Sequence, residues 1–236
     1  MSDDVLLDDI EDYWEMVERK RERATEFLET PSRETFADLV DKKHFWATRA
    51  RGSIDHYLEQ FVFANEQTPE LVAETIENAL DTGTVESLTE LEGFGWATGT
   101  EILRALEPEQ FAILNTRSKI GLEALGYSAP NKNTASQSQY EAFVENVREV
   151  SSHFDLRTVV EDVSGQSIPT WATELEVADF AFSLHHDGKT DLTALTRETH
   201  PTVTLEGIGR EGADCYWVNQ RNQSEIDEGY LKAKVD

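Results

Sequence analysis

The chain has 236 residues and a formal net charge of -26, which comes from 47 acidic and 21 basic side chains. This length is sufficient for one large domain or two small ones with a buried core. Hydrophobic residues make up 39% of the chain, which argues against wholesale disorder. The single cysteine, Cys215, excludes an intrachain disulfide and a cysteine-rich zinc site.

The acidic residues are spread along the chain rather than gathered in one tail. This distribution is typical of a protein that stays soluble in concentrated salt, where charge repulsion is screened, although an ordinary acidic protein is the alternative. Residues 1–9 are acidic, so no signal peptide is expected. No apolar run approaches the roughly 18–20 residues of a membrane span. We therefore expect a cytoplasmic protein without a membrane partner.

Helical periodicity dominates the first 185 residues. Pro31 ends the first predicted helix, Gly52 is expected to bend the third, and Thr68-Pro69 has the pattern of an N-cap followed by the first helical position. Residues 128–138 are rich in small polar side chains and predict a surface loop. The predicted helices cover residues 3–28, 36–40, 44–64, 68–80, 84–91, 98–106, 118–125, 140–153, 156–163 and 171–185.

The last part of the chain has a different pattern. Asp187-Gly188 predicts a turn, and the β-branched and aromatic residues at 203–205 and 215–219 predict short strands. The expected fold class is therefore mainly α, with a helical domain over residues 1–186 and a short β-rich extension over residues 187–236.

A helix-hairpin-helix is predicted at residues 91–100, where the sequence LEGFGWAT lies between two helical patterns. Two glycines let the backbone turn tightly, and the first N–H groups of the second helix lack intrahelical partners. A DNA phosphate can accept hydrogen bonds from these groups, helped by the helix dipole and without any basic side chain. Such a hairpin holds the backbone and reads no bases. The alternative is a ligand-free turn with Leu91 and Phe94 in the core.

Residues 91–126 contain the segments LEGFGWATG, EILRAL, FAILNTRS and GLEALG. They resemble the helix-hairpin-helix core of the DNA glycosylase superfamily that includes endonuclease III. In that family, a hairpin of the form L-P-G-V-G-x-K-T-A precedes an apolar stretch ending in V-D-T-H/R. Ala97 and Asn115 hold the positions of the family's Lys and Asp, with the same separation of 18 residues. The resemblance implies a glycosylase-like helical core that binds DNA.

The two altered positions decide the expected chemistry. In the family, the Lys amine attacks the sugar, and the Asp stabilises developing positive charge or activates water. Ala97 has no nucleophile, and Asn115 cannot act as a base, although it could cap the helix beginning near Thr116. We expect a DNA-binding protein without glycosylase activity, in DNA repair or in restriction or defence. The alternatives are an active glycosylase or lyase with a non-standard acid, and a protein-interaction scaffold.

Three basic residues near the hairpin, Arg104, Arg117 and Lys119, are candidate phosphate contacts. Pairing with nearby carboxylates explains them equally well. Trp96 could pack on a sugar or base, or cover the core. The predicted DNA-binding set is Gly93, Phe94, Gly95, Trp96, Ala97, Thr98, Arg104, Arg117 and Lys119.

No metal site or cofactor is expected, apart from a monovalent cation that the hairpin could hold. His185-His186-Asp187 could recruit a metal ion, but adjacent side chains on a helix point apart and no third ligand is evident.

The C-terminal sequence contains Tyr216-Trp217-Val218-Asn219, followed by Gly229-Tyr230-Leu231. This pattern resembles the opening strand and loop of an EVE-type, PUA-like domain, a fold that binds modified bases. The match covers about 20 residues, and the chain stops where the rest of that barrel should begin. The resemblance implies a shortened protein or a fragment of a longer one, whose extension could contact a protein partner. A small terminal hairpin is the alternative.

Overall fold

The computed structural model describes residues 12–45, 47 and 53–199, and this part of the chain is helical without any β-strand. The prediction of a mainly α fold is confirmed. The predicted strands at 203–205 and 215–219 lie outside the described residues. The helices are α1 (Tyr13–Glu29), α2 (Arg33–Leu39), α3 (Ile54–Tyr57), α4 (Pro69–Thr82), α5 (Glu86–Thr89), α6 (Trp96–Leu106), α7 (Thr116–Ala124), α8 (Gln137–His153), α9 (Leu156–Ser164), α10 (Glu174–His186) and α11 (Thr193–Thr199).

The expectation of one helix over residues 44–64 is wrong. The N–H groups of His44 and Phe45 both donate to the carbonyl of Asp41, which closes a turn. Helix α3 begins only after Ser53, whose hydroxyl accepts from the His56 N–H at 3.2 Å. A π-helical turn, Leu58–Val62, continues it. Apolar periodicity alone did not reveal this interruption, because both segments place apolar residues in the core. The bend expected at Gly52 lies outside the described residues, as do residues 3–11 of the first predicted helix.

Helix α11 lies in the segment that was expected to be β-rich. The predicted turn is present, since the Gly188 N–H donates to the carbonyl of His185 and Gly188 has a φ of 71°. After it, the Asp191 carboxylate accepts from the Thr193 N–H at 3.0 Å, an arrangement that favours a helical start. The first compact unit of the chain ends at Leu195.

Helix α6 lies among α1, α4 and α5, while α10 packs against α7, α8 and α9. The Tyr13 and Phe180 rings stack with centroids 3.8 Å apart and join α1 to α10. Gly121 of α7 lets α10 approach, because a Cβ there would lie 2.2 Å from the Phe182 ring. None of the described helices is long and apolar enough to cross a membrane.

A network of buried charged groups joins α1, α6 and α10. The guanidinium of Arg104 lies 3.1 Å from both the Glu176 and Asp179 carboxylates. The Tyr13 hydroxyl also donates to Asp179, at 2.8 Å. Nearby, the Lys20 amine pairs with Glu101, and both side chains are only 1% exposed. Because an unpaired buried charge is costly, this mutual pairing is what allows these groups inside the core.

Candidate nucleic-acid interface

Gly93 is the turning point of the hairpin. Its φ is 78°, and a Cβ at this position would lie 3.0–3.1 Å from Val62 and Phe61, so both conformation and space favour glycine. The Gly93 carbonyl accepts from the Tyr57 hydroxyl at 2.9 Å. The Gln67 side chain accepts from the Glu92 N–H at 3.0 Å. Helix α3 and the loop before α4 therefore hold the hairpin in place.

Gly95 is the N-cap of α6, with extended backbone and no side chain that caps the helix. A Cβ at Gly95 would have no neighbour within 4 Å. The first hydrogen bond of the helix runs from the Gly99 N–H to the Gly95 carbonyl at 2.9 Å. The N–H groups of Trp96 and Ala97 consequently have no intrahelical partners.

The other described helices of nine or more residues differ from α6 at this point. Each of them has an Asp, Thr, Asn or Ser side chain that accepts hydrogen bonds from the first turn. Such a cap satisfies N–H groups that would otherwise need solvent or a ligand. The N-terminus of α6 is thus available to an external acceptor, at the position where the sequence predicts phosphate binding.

The predicted hairpin residues divide into two groups. Gly93, Gly95 and Ala97 are partly exposed. Trp96 is only 5% exposed and its ring packs on Tyr140, with centroids 5.4 Å apart, so it covers the core and does not face a sugar or base. Thr98 is also buried, and Phe94 packs against Phe36 with ring centroids 5.9 Å apart. The prediction that the Trp96 and Thr98 side chains contact DNA is therefore wrong. The hairpin exposes mainly its backbone to solvent.

Asn115 is the N-cap of α7. Its side-chain oxygen accepts from the Ser118 N–H at 2.9 Å, and the Ser118 hydroxyl accepts from the Asn115 N–H at 2.9 Å. The expected capping role is confirmed. The Thr100 hydroxyl accepts from the Leu114 N–H at 3.0 Å and donates to the Trp96 carbonyl, which ties this segment to α6. Thr100 thus links α6, the second helix of the hairpin, to the segment that leads into Asn115.

Arg104 cannot contact phosphate in this fold, and this prediction is wrong. Its side chain is 1% exposed, and both of its carboxylate partners lie on α10. The sequence placed Arg104 one turn beyond the hairpin but did not indicate the α10 carboxylates that pair with it inside the core.

The two remaining predicted basic residues lie on α7. Arg117 is 12% exposed, with its Nε 4.0 Å from Asp187. The more exposed Lys119 lies 3.6 Å from Glu123, one turn along the helix. Sequence reasoning missed Lys132, whose amine donates to the Thr116 hydroxyl at 3.1 Å beside the start of α7. Lys132 is the one basic residue in the predicted 128–138 loop. The small polar residues that predict a loop do not indicate its path, so the contact with Thr116 could not be predicted.

The surroundings of the hairpin carry negative charge. Glu90 precedes it, Glu92 lies at its start, and the Asn65 amide donates to both oxygens of Glu92 at 2.8 Å. The carbonyl oxygens of Leu91 and Gly93 each already accept one hydrogen bond, from the Phe94 N–H and the Tyr57 hydroxyl. A monovalent cation at the hairpin stays a prediction. Any phosphate bound here would be held chiefly by neutral donors.

The histidines at the end of α10 have separate partners. His185 Nδ1 lies 3.1 Å from the Thr190 carbonyl, and His186 Nδ1 lies 2.8 Å from the Asp187 carboxylate. In the part of the chain that the structure describes, no group of three or more His, Cys, Asp or Glu side chains is placed to hold a metal ion.

Comparisons of this chain with protein-family models, with curated proteins and with solved structures returned no match.

Proposed function

We propose that this protein binds the DNA backbone through the hairpin at residues 91–100, independently of sequence. The observation that supports this proposal is the uncapped N-terminus of α6, in a fold whose other long described helices are capped by side chains. The N–H groups of Trp96 and Ala97 would donate to a phosphate oxygen, and the helix dipole favours the negative charge.

The acidic character of the chain is compatible with phosphate binding by backbone N–H groups. Backbone N–H groups carry no formal charge, so they bind phosphate without a basic patch. Salt weakens DNA binding more when more phosphates are neutralised by basic side chains. For duplex DNA, the logarithm of the binding constant falls with the logarithm of the salt concentration with a slope of about -0.9 for each such phosphate. We expect a shallow dependence on salt, set by at most a few lysines such as Lys119 and Lys132. A protein of net charge -26 could then hold DNA in a cytoplasm of high salt.

The proposed activity is binding without base excision. Ala97 offers only a methyl group where a nucleophilic amine would be needed. The Asn115 side chain accepts the Ser118 N–H and completes a cap, which is a structural role. A neutral amide cannot accept a proton as a general base. DNA repair and restriction or defence are the settings that such a binding protein would suit.

The experiment is titration of fluorescently labelled duplex DNA and abasic-site DNA at several potassium chloride concentrations. Wild type is compared with Gly95→Asp, which places a carboxylate at the α6 amides, and with Gly95→Ala, which leaves them open. The Cβ of either variant has free space. We expect Gly95→Asp to abolish binding and Gly95→Ala to retain it, since only the Asp competes with phosphate.

The same samples distinguish the alternatives. Cleavage of the abasic strand by wild type would show that catalysis is retained. If the folded wild type binds neither DNA at any salt concentration, the DNA proposal fails and a protein-interaction scaffold becomes the better explanation. If Gly95→Asp binds as well as Gly95→Ala, the hairpin is not the binding site.

A further inference from the structure

An exposed aromatic side chain lies directly beside the hairpin. Phe61 is 49% exposed, and a Cβ added at Gly93 would lie 3.1 Å from the Phe61 Cβ. Two other large hydrophobic side chains, Leu71 and Val163, are comparably exposed, but they are aliphatic. The exposed aromatic surface of Phe61 therefore adjoins the segment to which we assign phosphate binding.

The π-helical turn fixes the position of Phe61. The Phe63 N–H donates to the Leu58 carbonyl at 2.7 Å, the five-residue spacing that defines this rare turn. The Phe61 ring lies 6.4 Å from the Tyr57 ring, and the Tyr57 hydroxyl donates to the Gly93 carbonyl. His56 contacts the Phe61 ring edge-on at a centroid distance of 6.1 Å. Tyr57 thus contacts both the Phe61 ring and the hairpin.

We propose that Phe61 stacks on an unpaired nucleobase of the strand whose phosphate the hairpin holds, so that single-stranded DNA is the preferred ligand. This inference rests on the proposed function. Stacking on an aromatic ring is available to every base and requires no basic side chain, which suits the acidic surroundings of Glu90 and Glu92. In an intact duplex the base faces are stacked on one another and cannot reach Phe61.

The test measures the affinity of wild type for an oligothymidine of about 12 nucleotides and for a duplex of equal length. This length lies within the range of site sizes of proteins that bind single-stranded nucleic acids. Two variants remove the ring, namely Phe61→Ala and Phe61→Leu. Phe61→Leu retains apolar surface without an aromatic face. Val163→Ala, on α9, is the matched control because it also shortens an exposed hydrophobic side chain.

We expect wild type to bind the single strand more tightly than the duplex. Phe61→Ala and Phe61→Leu should each weaken single-strand binding by about tenfold, the typical loss of one stacked base. The dependence on salt should be unchanged, because no charge is removed. Val163→Ala should bind as wild type does.

Four results would overturn the inference. Equal affinity of wild type for both ligands would remove the preference, and full binding by Phe61→Leu would show that apolar contact suffices without stacking. Single-strand binding that is lost in Gly95→Asp but unchanged in both Phe61 variants would retain the hairpin site and reject the stacking role. Absence of binding to both ligands would reject the proposed function and this inference together.

Discussion

The two ends of helix α6 differ in their charged groups. At its N-terminus, the hairpin presents backbone amides next to acidic residues and offers no basic side chain of its own. Further along the helix, Glu101 and Arg104 are buried and form ion pairs with Lys20, Glu176 and Asp179. The basic groups of this part of the molecule are thus used inside the fold, and the outer end depends on peptide dipoles.

This difference explains how an acidic chain can have an anion site. The buried Arg104 guanidinium is stabilised by its two carboxylates and is not accessible to an external phosphate. The amides of the first turn of a helix keep their partial positive charge whatever the net charge of the chain. The structure and the proposed binding consequently depend on different groups of the same helix, and substitutions should separate them.

The largest effect is expected from Arg104→Met, which removes the buried cation. Glu176 and Asp179 would lose a partner inside the core, and breaking a buried pair costs about 3–5 kcal/mol. Urea unfolding measures the change. The control is Arg23→Ala, whose exposed pair with Glu26 should contribute little to stability, because solvent screens it. Equal losses in the two variants would contradict the view that burial gives Arg104 its importance.

A smaller effect is expected from Gly93→Ala, at the outer end. The positive φ costs roughly 1–2 kcal/mol for a residue with a Cβ, and contact with Val62 and Phe61 adds to it. Gly126→Ala is the matched control, because Gly126 has a φ of 83° but open space around its Cα. Thermal unfolding should show the greater loss for Gly93→Ala. A greater loss for Gly126→Ala would contradict the close packing of the hairpin.

Gly95→Asp should change stability and binding in opposite directions. An Asp at the N-cap accepts from the free amides and should raise the free energy of unfolding by about 0.5 kcal/mol. The same carboxylate should abolish DNA binding. Thermal unfolding and DNA titration of one preparation measure both quantities. A decrease in stability would show that the amides are not free to be capped.

The smallest effect near neutral pH is expected from His44→Gln. Burial, followed by repulsion from Lys20, lowers the pKa of His44, which is 4% exposed. Below a pH of about 6.5 the unfolded chain takes up the proton first. Stability should therefore fall as pH drops from that value toward the lower folded-state pKa.

The His44→Gln variant should lose this component of the pH dependence. The measurement is the urea midpoint as a function of pH. The exposed His153→Gln variant is the matched control for a His-to-Gln substitution outside the core. An unchanged profile in His44→Gln would show that protonation of His44 is not linked to folding.

Local features were predictable where the two hydrogen-bonded groups lie within a few residues of each other in the sequence. Thr68 with Pro69 begins α4 as expected, and Asn115 caps α7, because a cap acts within one turn of the chain. Arg104 was misassigned because Glu176 and Asp179 lie 72 and 75 residues further along the chain. Lys132 was missed for a related reason, since its partner Thr116 is reached only through the fold.

The sequence by itself determined the helical class, most helix starts to within about three residues and the glycines of the hairpin, because periodicity, capping and backbone freedom are properties of short segments. The tertiary structure alone decided which charges are buried, that Trp96 covers the core, and that Phe61 stands exposed beside Gly93. These outcomes depend on which faces of distant helices meet. Periodicity identifies the apolar face of a helix, but it does not specify the partner that covers that face.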